Sequence, residues 1–187
     1  MSWDAAGRAR HTALVRDYPH TTDTERFAVL HDAADALLDE LAERYMVERR
    51  ETKELLGPDE ALVRTVRLIP RTPAAAPLAI AFTGLPGLRV RLGRWWTQSL
   101  PGCACADCAE DPGQLVDELR VQTKAMIEGG LWERVRRGVS GSWFETRLIG
   151  DGFKAAHEGL MSSQAARNAR RCGFAAAVQW APWPRRS

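Results

Sequence analysis

The stretch PLAIAFTGLPGLRVRLGRWW, Pro77 to Trp96, constrains the fold more than any other part of the chain. Leu78, Ile80 and Phe82 fall on alternate positions before a Gly/Pro turn, and Leu88, Val90 and Leu92 do so after it. Side chains alternate across a strand, so each apolar set shares one face while Arg89 and Arg91 take the other. Two such runs around a short turn read as a β-hairpin. One buried and one wet face is the habit of antiparallel sheets, so the chain must build one.

Other segments extend this reading. YMVERRET predicts a strand, and Thr65 to Leu68 alternate in ALVRTVRLIPR as in a half-buried strand. LWERVRRG and SWFETRLIG predict two more around a Gly-Val-Ser-Gly turn, and FAAAVQW predicts a last one. Two segments have helical period instead. Phe27, Leu30, Ala34, Leu37, Leu38, Leu41 and Tyr45 recur every three or four residues. Thr22 and Glu25 ahead of them fit a capping box. Leu115, Val116, Leu119, Thr123, Met126 and Ile127 form the second stripe. Asp111 is placed as its N-cap, Pro112 at its first position and Gly129-Gly130 at its end. AAHEGLMSSQAARNARRCG is expected to be helical in part. Runs of strands with few helices predict an α+β fold: an antiparallel sheet, with the long N-terminal helix and the helix after the cysteine loop packed on one face. Residues 22–187 read as a single domain, and 1–21, lacking periodicity, as a partly ordered arm.

With 187 residues the chain is long enough for one domain with a substantial core. No apolar run reaches the about 18 residues of a transmembrane helix, and MSWDAAGRARH has no apolar signal core, so a cytoplasmic protein with no membrane partner is expected. The net charge of +2 demands no acidic partner. Only three of the basic residues are lysines, which with abundant alanine looks like coding bias and weakens arginine richness as evidence for nucleic-acid binding.

SLPGCACADCAEDPGQL, Ser99 to Leu115, gathers three of the four cysteines in six positions. Such crowding in a chain without a disulfide pattern points to metal or redox chemistry. Zinc takes four ligands in a tetrahedron, and Cys103, Cys105 and Cys108 can supply three across a tight turn permitted by Gly102, Ala104 and Ala106. Cys172 or His157 are candidates for the fourth, with Asp107 and Glu110 nearer in sequence. The following helix start stabilises thiolates. Cys105-Ala-Asp-Cys108 is also a Cys-x-x-Cys at a helix entrance, so a thiol-redox or redox-sensing role is the alternative. Packing without chemistry is the plain reading beside both.

Elsewhere the chemistry is sparse. His11, His20, His31 and His157 are scattered, and there is no His-Glu-x-x-His, P-loop, dinucleotide fingerprint or Gly-x-Ser-x-Gly elbow. No catalytic residue is assigned, and the reading leans away from an enzyme. Arg64, Arg67, Arg71, Arg89, Arg91 and Arg94 could form one basic sheet face beside Trp95 and Trp96, the arrangement that holds single-stranded nucleic acid. The plain reading is a solvated face. Trp132, Trp143 and Trp180 lie on predicted strands and are expected in the core.

Taken in order, ERFAVLHDAADALLDEL, YMVER, VRLIP, PLAIAFTGLPGLRVRLGRW, LPGCACADC and VQWAPWPRR resemble an uncharacterised actinobacterial family, a domain of unknown function. The resemblance spans about Phe27 to Arg186. It implies that the loop is a family feature, usually Cys-Gly-Cys-Asp-x-Cys before acidic residues; here Ala104 and Ala106 replace the Gly and Asp. It implies no reaction. The expected function is a non-enzymatic binding or interaction role, for a protein or small-molecule partner, with a loop that can hold a structural zinc. The redox reading and a nucleic-acid-binding arginine face are the alternatives.

Overall fold

The computed structural model describes residues 24–56, 62–84, 86–102, 110–174 and 176–187. A 3-10 turn at Thr24–Phe27 leads into α1 (Ala28–Arg44), whose buried residues Leu30, Ala34, Leu37, Leu38 and Leu41 are those of the sequence stripe. Thr22 and the whole of the expected N-terminal arm, residues 1–21, lie outside the described residues. Tyr45 ends the helix in an extended conformation, with its ring edge-on to Trp183.

Five strands follow as an antiparallel meander in chain order: β1 (Val47–Leu55), β2 (Leu62–Pro70), β3 (Leu78–Thr83), β4 (Gly87–Leu92) and β5 (Trp96–Leu100). The predicted hairpin is β3–β4, with Ile80 opposite Val90 and Ala81 opposite Arg89. Val66, Leu68, Leu78, Ile80, Phe82, Leu88, Val90, Leu92, Trp96 and Leu100 are buried in the core that also takes in α1. His31 of α1 donates to the Gly87 carbonyl (2.9 Å) and meets the Phe82 ring edge-on, which fixes the helix across β3 and β4.

Helix α2 (Pro112–Ile127) begins as expected: the Asp111 side chain accepts from the Gln114 N–H, and Pro112 opens the helix. It leads to a second antiparallel sheet, so the strands form two sheets and not one. Its strands are β6 (Leu131–Gly138), β7 (Gly141–Gly150), β8 (Phe153–Met161) and the two-residue β9 (Val178–Gln179), in the order β8-β7-β6-β9. Helix α3 (Ser163–Ala169) separates β8 from β9. The α+β class holds, with the core cluster running from α1 through both sheets to Trp183.

Two local expectations are corrected and a third is made specific. Trp96–Leu100 is a strand, not the start of a loop. AAHEGLMSSQAARNARRCG is helical in part, as expected: Ser163–Ala169 is helix and AAHEGLM is strand, where Asp151-Gly152 makes the β7–β8 turn, with Gly152 at φ 66° where a side chain would be strained. Trp132 and Trp143 are only half-buried and lie under arginines: Arg134 and Arg147 over Trp132, Arg136 over Trp143. These rings share their sheet face with the Arg134–Glu145 and Arg136–Glu145 ion pairs, which a dry core would not tolerate. Among the described residues no helix is long and apolar enough to cross a membrane.

Candidate anion-binding groove

Strand register brings part of the sequence's arginine face together on the side of the first sheet away from α1. One row across the sheet reads Arg50, Arg67, Ala79, Arg91, Thr97; the next reads Thr52, Thr65, Ala81, Arg89, Ser99. Small residues fill the middle of both rows; arginines flank Ala79 on both sides in the first, and Arg89 flanks Ala81 in the second. The result is a groove of about 250 Å³, floored by Thr65, Ala79 and Ala81 and walled by Arg67, Arg89, Arg91 and Glu54. Ala79 and Ala81 are buried on what would otherwise be an open face.

The remaining arginines of the expected face go elsewhere. Arg64 turns to the helix side, where it pairs with Asp35 of α1 (2.9 Å) and Glu51 (2.7 Å), which hold its guanidinium above the ordinary arginine range. Arg71 lies beyond the end of β2, its N–H bonded to Met46. Arg94 stacks over Phe174 in the β4–β5 turn. Trp96 points into the core and donates to Gln122 (3.2 Å), so only Trp95 stays near the basic face.

Within the groove the charges are unevenly matched. Arg67 forms two bonds with Glu54, whose carboxyl is held below its ordinary range by Arg67 and then by Thr52. Arg89 and Arg91 have no hydrogen-bonded or ion-paired partner among the described residues. Burial and the neighbouring Arg67 push Arg91 below the ordinary arginine range. The Thr65 hydroxyl, on a residue 3% exposed, also lacks a partner. A buried hydroxyl without a partner costs about 1–3 kcal/mol. Three guanidiniums, one carboxylate and a free hydroxyl thus face a small concave volume, which suits an anion with several acceptor oxygens.

Arg91 and Thr97 also line a second, wider opening of about 580 Å³ between the two sheets, completed by Arg94, Trp95, Phe144, His157 and Glu158. Its aromatic wall is held from behind by Glu133, a β6 residue that sequence reasoning overlooked. Glu133 is fully buried and accepts from the Trp95 N–H (2.8 Å), the Arg94 N–H (3.1 Å) and the Trp180 indole N–H (2.8 Å). Burial raises its pKa, and these donors pull the other way. Gly93, at φ 62°, lets the turn approach: a Cβ there would stand 2.8 Å from Glu133 Oε2. The only sequence signal was a charge at a strand position whose neighbours in register, Leu131 and Val135, are core.

Cys103, Cys105 and Cys108 lie outside the described residues. The ends of their loop are placed: the Gly102 N–H donates to Glu110 (3.0 Å), which joins the residues on either side of 103–109. His157 stacks on Trp96, with ring centroids 4.1 Å apart. Trp96 begins β5, whereas the loop leaves after its last residue, about 13 Å further at about 3.3 Å per residue. Cys172 is exposed and free in the turn after α3. Among the described residues no cluster of His, Cys, Asp or Glu could hold a metal ion.

The model of a family of unknown function, DUF6226, matches residues 2–187. No curated protein and no solved structure matches the chain.

Proposed function

We propose, for a chain that belongs to this family of unknown function, a binding role: it holds a small phosphate- or carboxylate-bearing molecule in the groove of Arg67, Arg89 and Arg91. The observation that carries this reading is selective pairing. Arg49, Arg50, Arg64, Arg67, Arg134 and Arg136, all on strands, each have a carboxylate. Among the described residues Arg89 and Arg91 are left without one, as are Arg137 and Arg147 of the second sheet, but Arg89 and Arg91 stand together beside the partnerless Thr65 hydroxyl. An anion supplies acceptors to all three and relieves the repulsion between Arg91 and Arg67. The competing reading, a merely solvated face, accounts for exposed arginines but not for their gathering around a floor of small residues; the partnerless Thr65 hydroxyl there is a state it shares with Thr123 and Thr146.

The test is calorimetric titration of the intact protein with inorganic phosphate and with a dicarboxylate, together with thermal unfolding. One anion should bind saturably, and the Arg89→Ala and Arg91→Ala variants should lose that binding. Arg50→Ala, on the same face but paired with Glu48, should keep it. At a hundred times Kd the bound state gains about 2.7 kcal/mol, visible as a raised melting temperature. Binding that survives in both groove variants, or no saturable binding of either anion, refutes the reading.

A further inference from the structure

We propose that the groove's ligand is a nucleotide, its phosphate between Arg89 and Arg91 and its base in the aromatic cleft between the two sheets; this rests on the anion-binding reading above. The groove is about 250 Å³, below the about 300–1,000 Å³ usual for ligand pockets, so it seats a charged headgroup and not a whole ligand. The rest of the ligand must leave through an opening. Arg91 and Thr97 belong to both spaces, so the way onward across β5 runs into the inter-sheet cleft.

The walls of that cleft select the chemistry. Trp95, Phe144 and His157 present flat rings, and a flat base is what such rings hold best. Trp95 is fixed in advance. Its backbone is bonded to Glu133, and its ring sits edge-on to Phe174 at 4.9 Å and near-parallel to Phe144 at 6.1 Å. His157 is held on one side by Trp96 and is itself exposed. Arg94, Thr97 and Glu158 add donors and an acceptor at the margin, the groups that read the polar edge of a base. An aliphatic acid would leave the rings idle.

The same residues favour a single nucleotide over a strand. A single-stranded nucleic acid needs a line of free cations along its backbone. On this face Arg50 and Arg67 are already paired with Glu48 and Glu54, and among the described residues of the groove only Arg89 and Arg91 are open. Two guanidiniums suit one phosphate group.

The experiment is calorimetric titration of the full chain with inorganic phosphate, a dicarboxylate, purine and pyrimidine nucleoside monophosphates, the matching nucleosides and a short single-stranded oligonucleotide. At least one monophosphate should bind about tenfold or more tighter than inorganic phosphate, the increment expected of one stacked base. Trp95→Ala should remove that increment and leave phosphate binding unchanged; His157→Ala, an exposed position, gives the same readout should the Trp95 variant fail to fold. Arg89→Ala should lose phosphate and nucleotide alike. Monophosphates no tighter than inorganic phosphate overturn the nucleotide assignment and leave the anion-binding reading standing. Binding of no phosphate-bearing ligand overturns the nucleotide assignment, and silence from the dicarboxylate as well overturns both. An oligonucleotide that binds tighter per nucleotide, with a steep salt dependence, overturns the single-nucleotide form in favour of a strand.

Discussion

Replacing Glu133 tests how the two sheets are joined. Its carboxylate takes the N–H groups of Arg94 and Trp95 from the β4–β5 turn and the indole N–H of Trp180 from the C-terminal segment. Glu133→Ala leaves three donors without an acceptor, at about 1–3 kcal/mol each, against a gain from no longer burying a charge. A net loss of about 3–5 kcal/mol follows, a large share of the about 5–15 kcal/mol that holds a typical domain. Glu133→Gln keeps one oxygen but turns an amide N–H₂ towards a donor, so a smaller loss of about 1–2 kcal/mol is expected. The pH dependence gives the sharper check. Burial raises the Glu133 pKa above its value of 4.5 in an unfolded chain. The folded state therefore binds this proton more tightly, and the associated stability is full below 4.5 and is lost as pH rises through the folded pKa. The Gln variant lacks this titration. Urea unfolding should show the gap between wild type and Gln widening as pH falls from neutral towards 4.5. A Gln variant as stable as wild type at neutral pH, with a gap that does not change with pH, would refute the role given to the carboxylate.

Trp183 tests the tail: it is buried, and its indole donates to the Ala76 carbonyl at 2.8 Å, so Trp183→Ala should cost about 3–5 kcal/mol by chemical denaturation. A loss under about 1 kcal/mol would mean that the tail is a bystander. Arg91→Leu should leave the ligand-free protein at least as stable as wild type, because it removes a guanidinium that burial and Arg67 both disfavour; a lower melting temperature would contradict this. For the cysteine loop, elemental analysis of untagged protein should find about one zinc per chain, with chelation exposing the thiols of Cys103, Cys105 and Cys108. Metal-free protein with those thiols freely reactive would remove zinc, and a reversible Cys105–Cys108 disulfide would favour the redox reading.

What could be read from the chain beforehand was what short-range physics determines. The α1 stripe, the β3–β4 hairpin and the Asp111-Pro112 start of α2 each lie within one element, where period or capping chemistry acts alone. The errors arose where partners come from far along the chain. Trp96–Leu100 has no strict alternation, because Gln98 faces inwards and is satisfied there by Gln122 and Glu118 of α2. In β8 Ala155, Ala156, His157 and Glu158 suit a helix as well as a strand, and the pairing with β7 decides where the expected partial helix begins. The arginine face was half legible for the same reason. Alternation put Arg89 and Arg91 on one side, but only the register across β2 and β3 brings Arg67 and Thr65 beside them and sends Arg64 to Asp35.

The division among the arginines is also the strongest physical argument for a site. Evolution of stability alone would fill a position like Arg91 with a residue that needs no partner, since an exposed cation with no ion pair, beside Arg67 and only partly offset by Glu54, does little to hold the fold. The strand arginines with carboxylate partners show that this chain has the acidic residues to neutralise such positions. Leaving two guanidiniums open over a floor of alanines, with a buried hydroxyl beneath them, keeps space and donors ready at some cost to the empty protein. The alanines matter as much as the charges. A larger side chain at Ala79 or Ala81 would fill the groove and cover Thr65, and the sheet would gain packing while losing its concavity. The small floor, the free donors and the like-charge contact point the same way, and a ligand rich in acceptor oxygens resolves all three together.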